Sequence, residues 1–196
     1  MKYPVLSLTA VALMALSGCV APVGPVEVTR FHAPDVTPLG KGAIAVEPAP
    51  GADPASLEWQ TYSAAVMRQL ALLGYTAAPP GSGGQVALVR LSRRTLEPPG
   101  SNPVSVGVGG STGTYGSGVG LGIGINLSPK PAAQITTDLA VSIRDRASGT
   151  TLWEGRASFT VSAKSPLAGT ALAAPKMSEA LFAGFPGQSG ETIEVK

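Results

Sequence analysis

Reactive side chains are scarce in this chain. Histidine and cysteine occur once each in 196 residues, as His32 and Cys19. A single cysteine cannot form a disulfide within the chain, and a transition-metal site normally takes several His, Cys or carboxylate ligands. His32 lies beside Pro34 on an expected loop, where Asp35 suits a local turn contact better than a metal. Charge is sparse as well. Only 13% of residues are charged, with 14 Lys and Arg against 12 Asp and Glu. A nucleic-acid partner needs a dense basic footprint. The one local cluster, Arg90, Arg93 and Arg94, reads as a solvated strand end. Asp138, Asp145 and Glu154 read as surface carboxylates with nothing to pair them as acid and base. Neither phosphate-binding glycine pattern, G-x-G-x-x-G or G-x-x-x-x-G-K-[ST], occurs. The expectation is therefore a non-enzymatic protein with no catalytic residues, no cofactor, no metal and no nucleic-acid partner.

No apolar run is long enough to cross a bilayer as a helix, which takes about 20 residues. A shorter run is present at the start. Lys2 precedes about a dozen largely apolar residues, Val5 to Leu16, and Leu16-Ser17-Gly18-Cys19 follows. The small residues Ser17 and Gly18 allow a peptidase close to the backbone. This ending resembles the lipobox of bacterial lipoproteins, in which the cysteine thiol receives a diacylglycerol and the new amino terminus is acylated. The resemblance implies a signal peptide over residues 1–18, lipidation at Cys19 and a lipid-anchored mature chain. One acyl chain binds a membrane only marginally, and stable anchoring takes two or more. Three chains on Cys19 satisfy that condition. Val20, rather than aspartate, follows the cysteine. By resemblance to lipoprotein sorting, this implies the outer membrane, with the domain facing the periplasm.

Beyond Cys19, residues 19–25 read as a lipidated tether that Pro22 and Pro25 keep extended. Residues 26–196 read as a single domain, large enough to bury its own core. Strands are expected over Val26–Phe31, Gly42–Glu47, Tyr75–Ala77, Gln85–Ser92 and Glu191–Val195. A helix is expected over about 54–73, with Asp53 as N-cap, Pro54 in the first position and Gly74 as terminator. Trp59, Tyr62, Val66, Leu70 and Leu73 recur at spacings of 3, 4, 4 and 3, which gives that helix one apolar face. Ile135–Arg144 and Thr151–Val161 alternate on either side of a Gly-bearing turn and predict a β-hairpin. A second helix is expected to open at Pro175 and stop at Gly184. The fold class is α+β: an antiparallel sheet with about two helices on one face.

Residues 104–127 contain nine glycines. Val104, Val106 and Val108 alternate with small residues, as do Val119, Leu121, Ile123, Ile125 and Leu127, so a glycine-rich β-hairpin insert is expected. Trp153-Glu154-Gly155, the ending Ala180-Leu181-Phe182-Ala183-Gly184-Phe185-Pro186-Gly187, the lipobox and this insert together resemble the bacterial lipoproteins grouped as domain of unknown function 4136. The resemblance implies an envelope lipoprotein with an α+β sheet domain, and no established activity. The expected partners are the membrane, through lipid on Cys19, and an envelope protein, with oligomers left open. Two functions remain: a structural or interaction lipoprotein, or a subunit of an oligomeric outer-membrane pore that inserts the glycine-rich hairpin.

Overall fold

The computed structural model describes residues 23–98, 104–113, 116–125 and 132–196. Nine strands are described: β1 (Val26–His32), β2 (Ala43–Pro48), β3 (Thr76–Ala77), β4 (Gln85–Leu96), β5 (Val104–Gly113), β6 (Gly116–Ile125), β7 (Gln134–Asp145), β8 (Thr151–Ser162) and β9 (Thr192–Val195). Helix α1 spans Leu57–Leu72 and helix α2 spans Thr170–Phe182. Seven strands form one sheet in the order β3-β2-β4-β7-β8-β1-β9. The α+β class is observed, but the sheet is mixed rather than antiparallel. β2 runs parallel to both β3 and β4, whereas every other neighbouring pair in it is antiparallel. The cause is α1. A helix that carries the chain back along the sheet returns the next strand in the same direction as the last.

Both helices pack on one face of the sheet. Tyr62, Val66 and Leu70 of α1 and Ala173, Ala174, Met177 and Leu181 of α2 join Val89, Leu139, Val141, Ile143, Trp153 and Phe159 in a single core. The expected apolar face of α1 is the buried one, with Trp59 and Leu73 at its margin. Its start differs from expectation. The Asp53 carboxylate accepts from the Ala55 N–H within a turn, and Ser56 is the N-cap, its hydroxyl accepting from Trp59 N–H. At the other end Gly74 has φ +103°, the left-handed conformation that glycine adopts without strain.

Helix α2 starts at Thr170, five residues before Pro175, so that proline lies inside the helix instead of opening it. Ala171-Leu172-Ala173-Ala174 are strong helix formers. They sustain the first turn, and Pro175 forgoes only one donor. β7 and β8 pair along nearly their whole length, from Gln134↔Ser162 to Arg144↔Thr151, with one irregularity beside Ile143. Trp153, Gly155, Ala157, Phe159 and Val161 form the inward set of β8.

β5 and β6 pair antiparallel with each other, from Val104↔Ile125 to Gly113↔Gly116, and are not part of the seven-stranded sheet. Residues 114–115 between them lie outside the described residues, as do 99–103 and 126–131 on either side. Among the described residues no helix is long and apolar enough to cross a membrane.

Candidate functional site

Cys19, together with the rest of 1–22, lies outside the described residues. The described chain begins at Val23 and enters β1, which is paired on both sides, with β8 and with β9.

The two short motifs quoted from the sequence meet in space. Trp153 is the largest fully buried side chain. Its indole N–H donates to the Pro186 carbonyl at 3.0 Å, its ring stacks on Phe182 at 5.3 Å, and it meets Phe185 at 5.2 Å. Gly155 makes room for that ring. A methyl at its α-carbon would collide with Cη2 of Trp153 and stand 2.9 Å from Cδ1 of Leu181. Next to this cluster Arg30 is 2% exposed. Its Nη1 donates to the Ala183 carbonyl at 2.6 Å, at the end of α2, where a cation complements the helix dipole. The Glu191 carboxylate is 3.8 Å from its Nε. Nothing in the sequence marks Arg30 as a core residue, although it continues the inward phase of Val26 and Val28. These contacts fix the segment after α2 against the sheet. They are packing, not chemistry.

The sheet face away from the helices carries a groove of about 460 Å³ across β1, β8 and β7. Glu27, Thr29 and Phe31 line it from β1, Asp138 and Ala140 from β7, and Arg156 from β8. Asp138 is held by Arg94 Nη2 at 2.9 Å and by the Ser158 hydroxyl at 2.8 Å. Glu154 pairs with Arg156 at 2.9 Å. Of the two carboxylates that line the groove, Asp138 is thus engaged by a cation and a hydroxyl and Glu27 is exposed on β1, while Glu154 lies outside the lining.

The remaining sequence candidates are dispersed. His32 Nδ1 lies 2.7 Å from the Ala33 carbonyl, while Asp35 accepts from the Thr37 N–H and hydroxyl, which lowers its pKa. The expected contact between His32 and Asp35 is thus replaced by a turn closed on Thr37. Asp145 accepts from Ser148 in the β7–β8 turn and is likewise lowered. The three arginines of the β4 cluster point to different partners: Arg90 to the Pro50 carbonyl, Arg93 to Glu58 and the Ala168 carbonyl, Arg94 to Asp138. Tyr62 is pushed up to about 12 by burial. Glu47, which accepts from the Gly81 N–H and from Arg146, is held below the ordinary carboxylate range. Sequence spacing gave no signal for that link, since its parts lie 34 and 99 residues from Glu47.

Among the described residues no group of three or more His, Cys, Asp or Glu is placed to hold a metal ion. The letters of the nucleophile-elbow pattern G-x-S-x-G occur once in the glycine-rich segment, at Gly109-Gly110-Ser111-Thr112-Gly113. That pattern acts at a sharp strand-to-helix turn. Here it lies within β5, and another strand, β6, follows.

No family model and no curated protein matches the chain. Solved structures with a similar course include a PDZ domain protein from Parabacteroides distasonis, at 13% identity and a TM-score of 0.47. The similarity covers 94% of this chain but 41% of that one, so the chain spans under half of that protein's length. Two PelC dodecamer structures from Paraburkholderia phytofirmans align over 80% and 84% of this chain and 96% and 99% of theirs. Their identities are 14% and 11%, and their TM-scores 0.40 and 0.45. Likeness this loose does not bear on function.

Proposed function

We propose that this chain is a lipoprotein of the cell envelope, anchored in the outer membrane by lipid on Cys19 and acting there as a non-enzymatic structural or interaction module facing the periplasm. The observation that carries this proposal is the run from Val5 to Leu16 closed by Leu16-Ser17-Gly18-Cys19. The likeness to the domain of unknown function 4136 lipoproteins belongs to the same proposal. The position of β1 is compatible with anchoring: a strand with ladder partners on both sides resists a pull from the tether better than a frayed terminus would. The groove over β1, β7 and β8, with Glu27, Thr29, Asp138 and Arg156 along it, offers polar groups of both charges to a partner and supports the interaction reading. The glycine-rich strands β5 and β6, taken as a hairpin insert, would be the second contact element.

Fractionation of cells that express the chain tests the anchor. The wild type should sediment with membranes, and Cys19→Ala should appear as soluble or unprocessed protein. Equal membrane association of both would refute the proposal. The oligomeric state in mild detergent separates the interaction module from the pore subunit: rings that conduct ions in planar bilayers would put the pore in its place.

A further inference from the structure

The tether, the glycine-rich excursion and a set of exposed leucines occupy one end of the sheet. β4 ends at Leu96 and β7 begins at Gln134, and these two residues are register partners. The excursion that contains β5 and β6 therefore leaves and re-enters the sheet at a single point. Val23 and Gly24 line a crevice with that same Gln134 and with Ser162 and Ser165, which places the entry of the tether there too. The N-terminal ends of both helices approach this end. Glu58 accepts from Arg93 of β4 and from the Thr170 hydroxyl at the start of α2. Leu57, next to Glu58, is 78% exposed, Leu172 is 52% exposed, Leu96 is 59% exposed and Val23 is 38% exposed. The other large exposed apolar residues among those described, Phe31, Val36 and Leu72, belong to the opposite ends of β1 and α1 and to the loop between β1 and β2.

The length of the tether decides what covers this end. Cys19 is four residues before Val23, so its α-carbon lies within about 14 Å of that of Val23 even in a fully extended chain. We infer that the end of the domain bearing Val23, Leu57, Leu96 and Leu172 rests on the lipid bilayer that holds Cys19. This rests on the anchoring proposed above. Apolar side chains at such a contact leave water for the interfacial region of the membrane. The excursion between Leu96 and Gln134 then issues at the membrane surface. Between Leu96 and Gln134 only Glu97 and Lys130, at the two roots, are charged, so the excursion brings few charges that would have to be desolvated. The β7–β8 turn lies about 36 Å away at ~3.3 Å per residue along β7 and points from the membrane.

The contact is tested on the lipoprotein purified from membranes and reconstituted into phosphatidylethanolamine–phosphatidylglycerol vesicles. Lipid on Cys19 leaves a cysteine introduced by Leu172→Cys or Ser148→Cys as the one free thiol for an environment-sensitive dye. Spin-labelled lipids should quench the dye at position 172 and shift its emission to the blue, while the dye at 148 should respond only to aqueous iodide. Equal, iodide-accessible signals at both positions would overturn the inference. Leu57→Cys provides a second reporter should the 172 variant fold poorly. If the intact mass of the protein shows no lipid, the anchoring proposal fails separately. The same labelled domains, with Cys19→Ala and a histidine tag ahead of Val20, can then be held on vesicles containing a nickel-chelating lipid. Quenching at 172 in that setting still supports the contact, and its absence overturns it.

Discussion

Replacing Gly155 by alanine probes the packing at the junction of β8 and the segment after α2. The added methyl would meet Cζ2 of Trp153 at 2.8 Å and Cδ1 of Leu181 at 2.9 Å, closer than α-carbon substituents normally approach. Neither neighbour can yield easily. The indole is fully buried, stacked on Phe182 and bonded to the Pro186 carbonyl, and Leu181 is fully buried as well. Overpacking of this kind costs about 1–3 kcal/mol. Displacing the indole also strains a hydrogen bond worth about 1 kcal/mol. A total loss of about 2–4 kcal/mol is expected. Urea denaturation of the unlipidated domain carrying Cys19→Ala, followed by circular dichroism, measures it. Trp153→Phe supplies the control, because it removes the part of the indole that overlies Gly155. In that background Gly155→Ala should cost less by about 1 kcal/mol or more, a coupling typical of residues in contact. A loss below about 0.5 kcal/mol, the range of ordinary surface changes, would show that the ring does not lie over Gly155.

Leu70→Ala should destabilise the domain by about 2–5 kcal/mol, because Leu70 is fully buried at the centre of the α1 face. Denaturant midpoints check this, and a loss under about 0.5 kcal/mol would place that face in solvent. Glu47 has a lowered pKa in the folded state, first through the Gly81 N–H and then through Arg146. A depressed carboxylate stabilises fully above its unfolded pKa of about 4.3 and loses that contribution as pH falls through the folded value. Stability of the wild type relative to Glu47→Gln should therefore shrink on acidification below about pH 4.3, and parallel pH profiles would contradict the link. Replacing residues 99–131 by a short Gly/Ser connector should leave the domain folded, because Leu96 and Gln134 are already adjacent and β5 and β6 pair only with each other. The change in loop length costs only fractions of a kcal/mol, and failure to fold would assign the segment to the core.

Local patterns were legible in the sequence, and their combination was not. The 3-4-4-3 spacing along α1 and the alternation of β7 each reflect one buried face, so both faces can be read directly. In β8 the adjacent Leu152 and Trp153 leave the register open until the structure turns Trp153 and Phe159 inward. The sequence points to too early a start for α1 because Asp53 can close a turn as readily as a helix, and only the geometry shows that Ser56 takes the cap. It points to too late a start for α2 because Pro175 is a common opening residue, and the preceding alanines outweigh its missing donor. Strand direction is not legible in the sequence because alternation is the same in parallel and antiparallel strands. Trp153-Glu154-Gly155 and the segment ending at Gly187 were visible as motifs, but the bond from the indole to Pro186 joins residues 33 apart, and nothing in either motif names the other. Arg30 was hidden for a related reason: a charged residue on an apolar phase reads as an interruption until the carbonyl of Ala183 is placed beside it.

Anchoring turns on one atom outside the described residues, the sulfur of Cys19. The intact mass of the protein purified from membranes, together with tandem sequencing of its first peptide, reads that atom directly. Anchoring predicts a chain that begins at Cys19, heavier than residues 19–196 by a diacylglycerol on the thiol and an acyl group on the amino terminus. A chain that retains residues 1–18, or that begins at Cys19 with a free thiol, would contradict it.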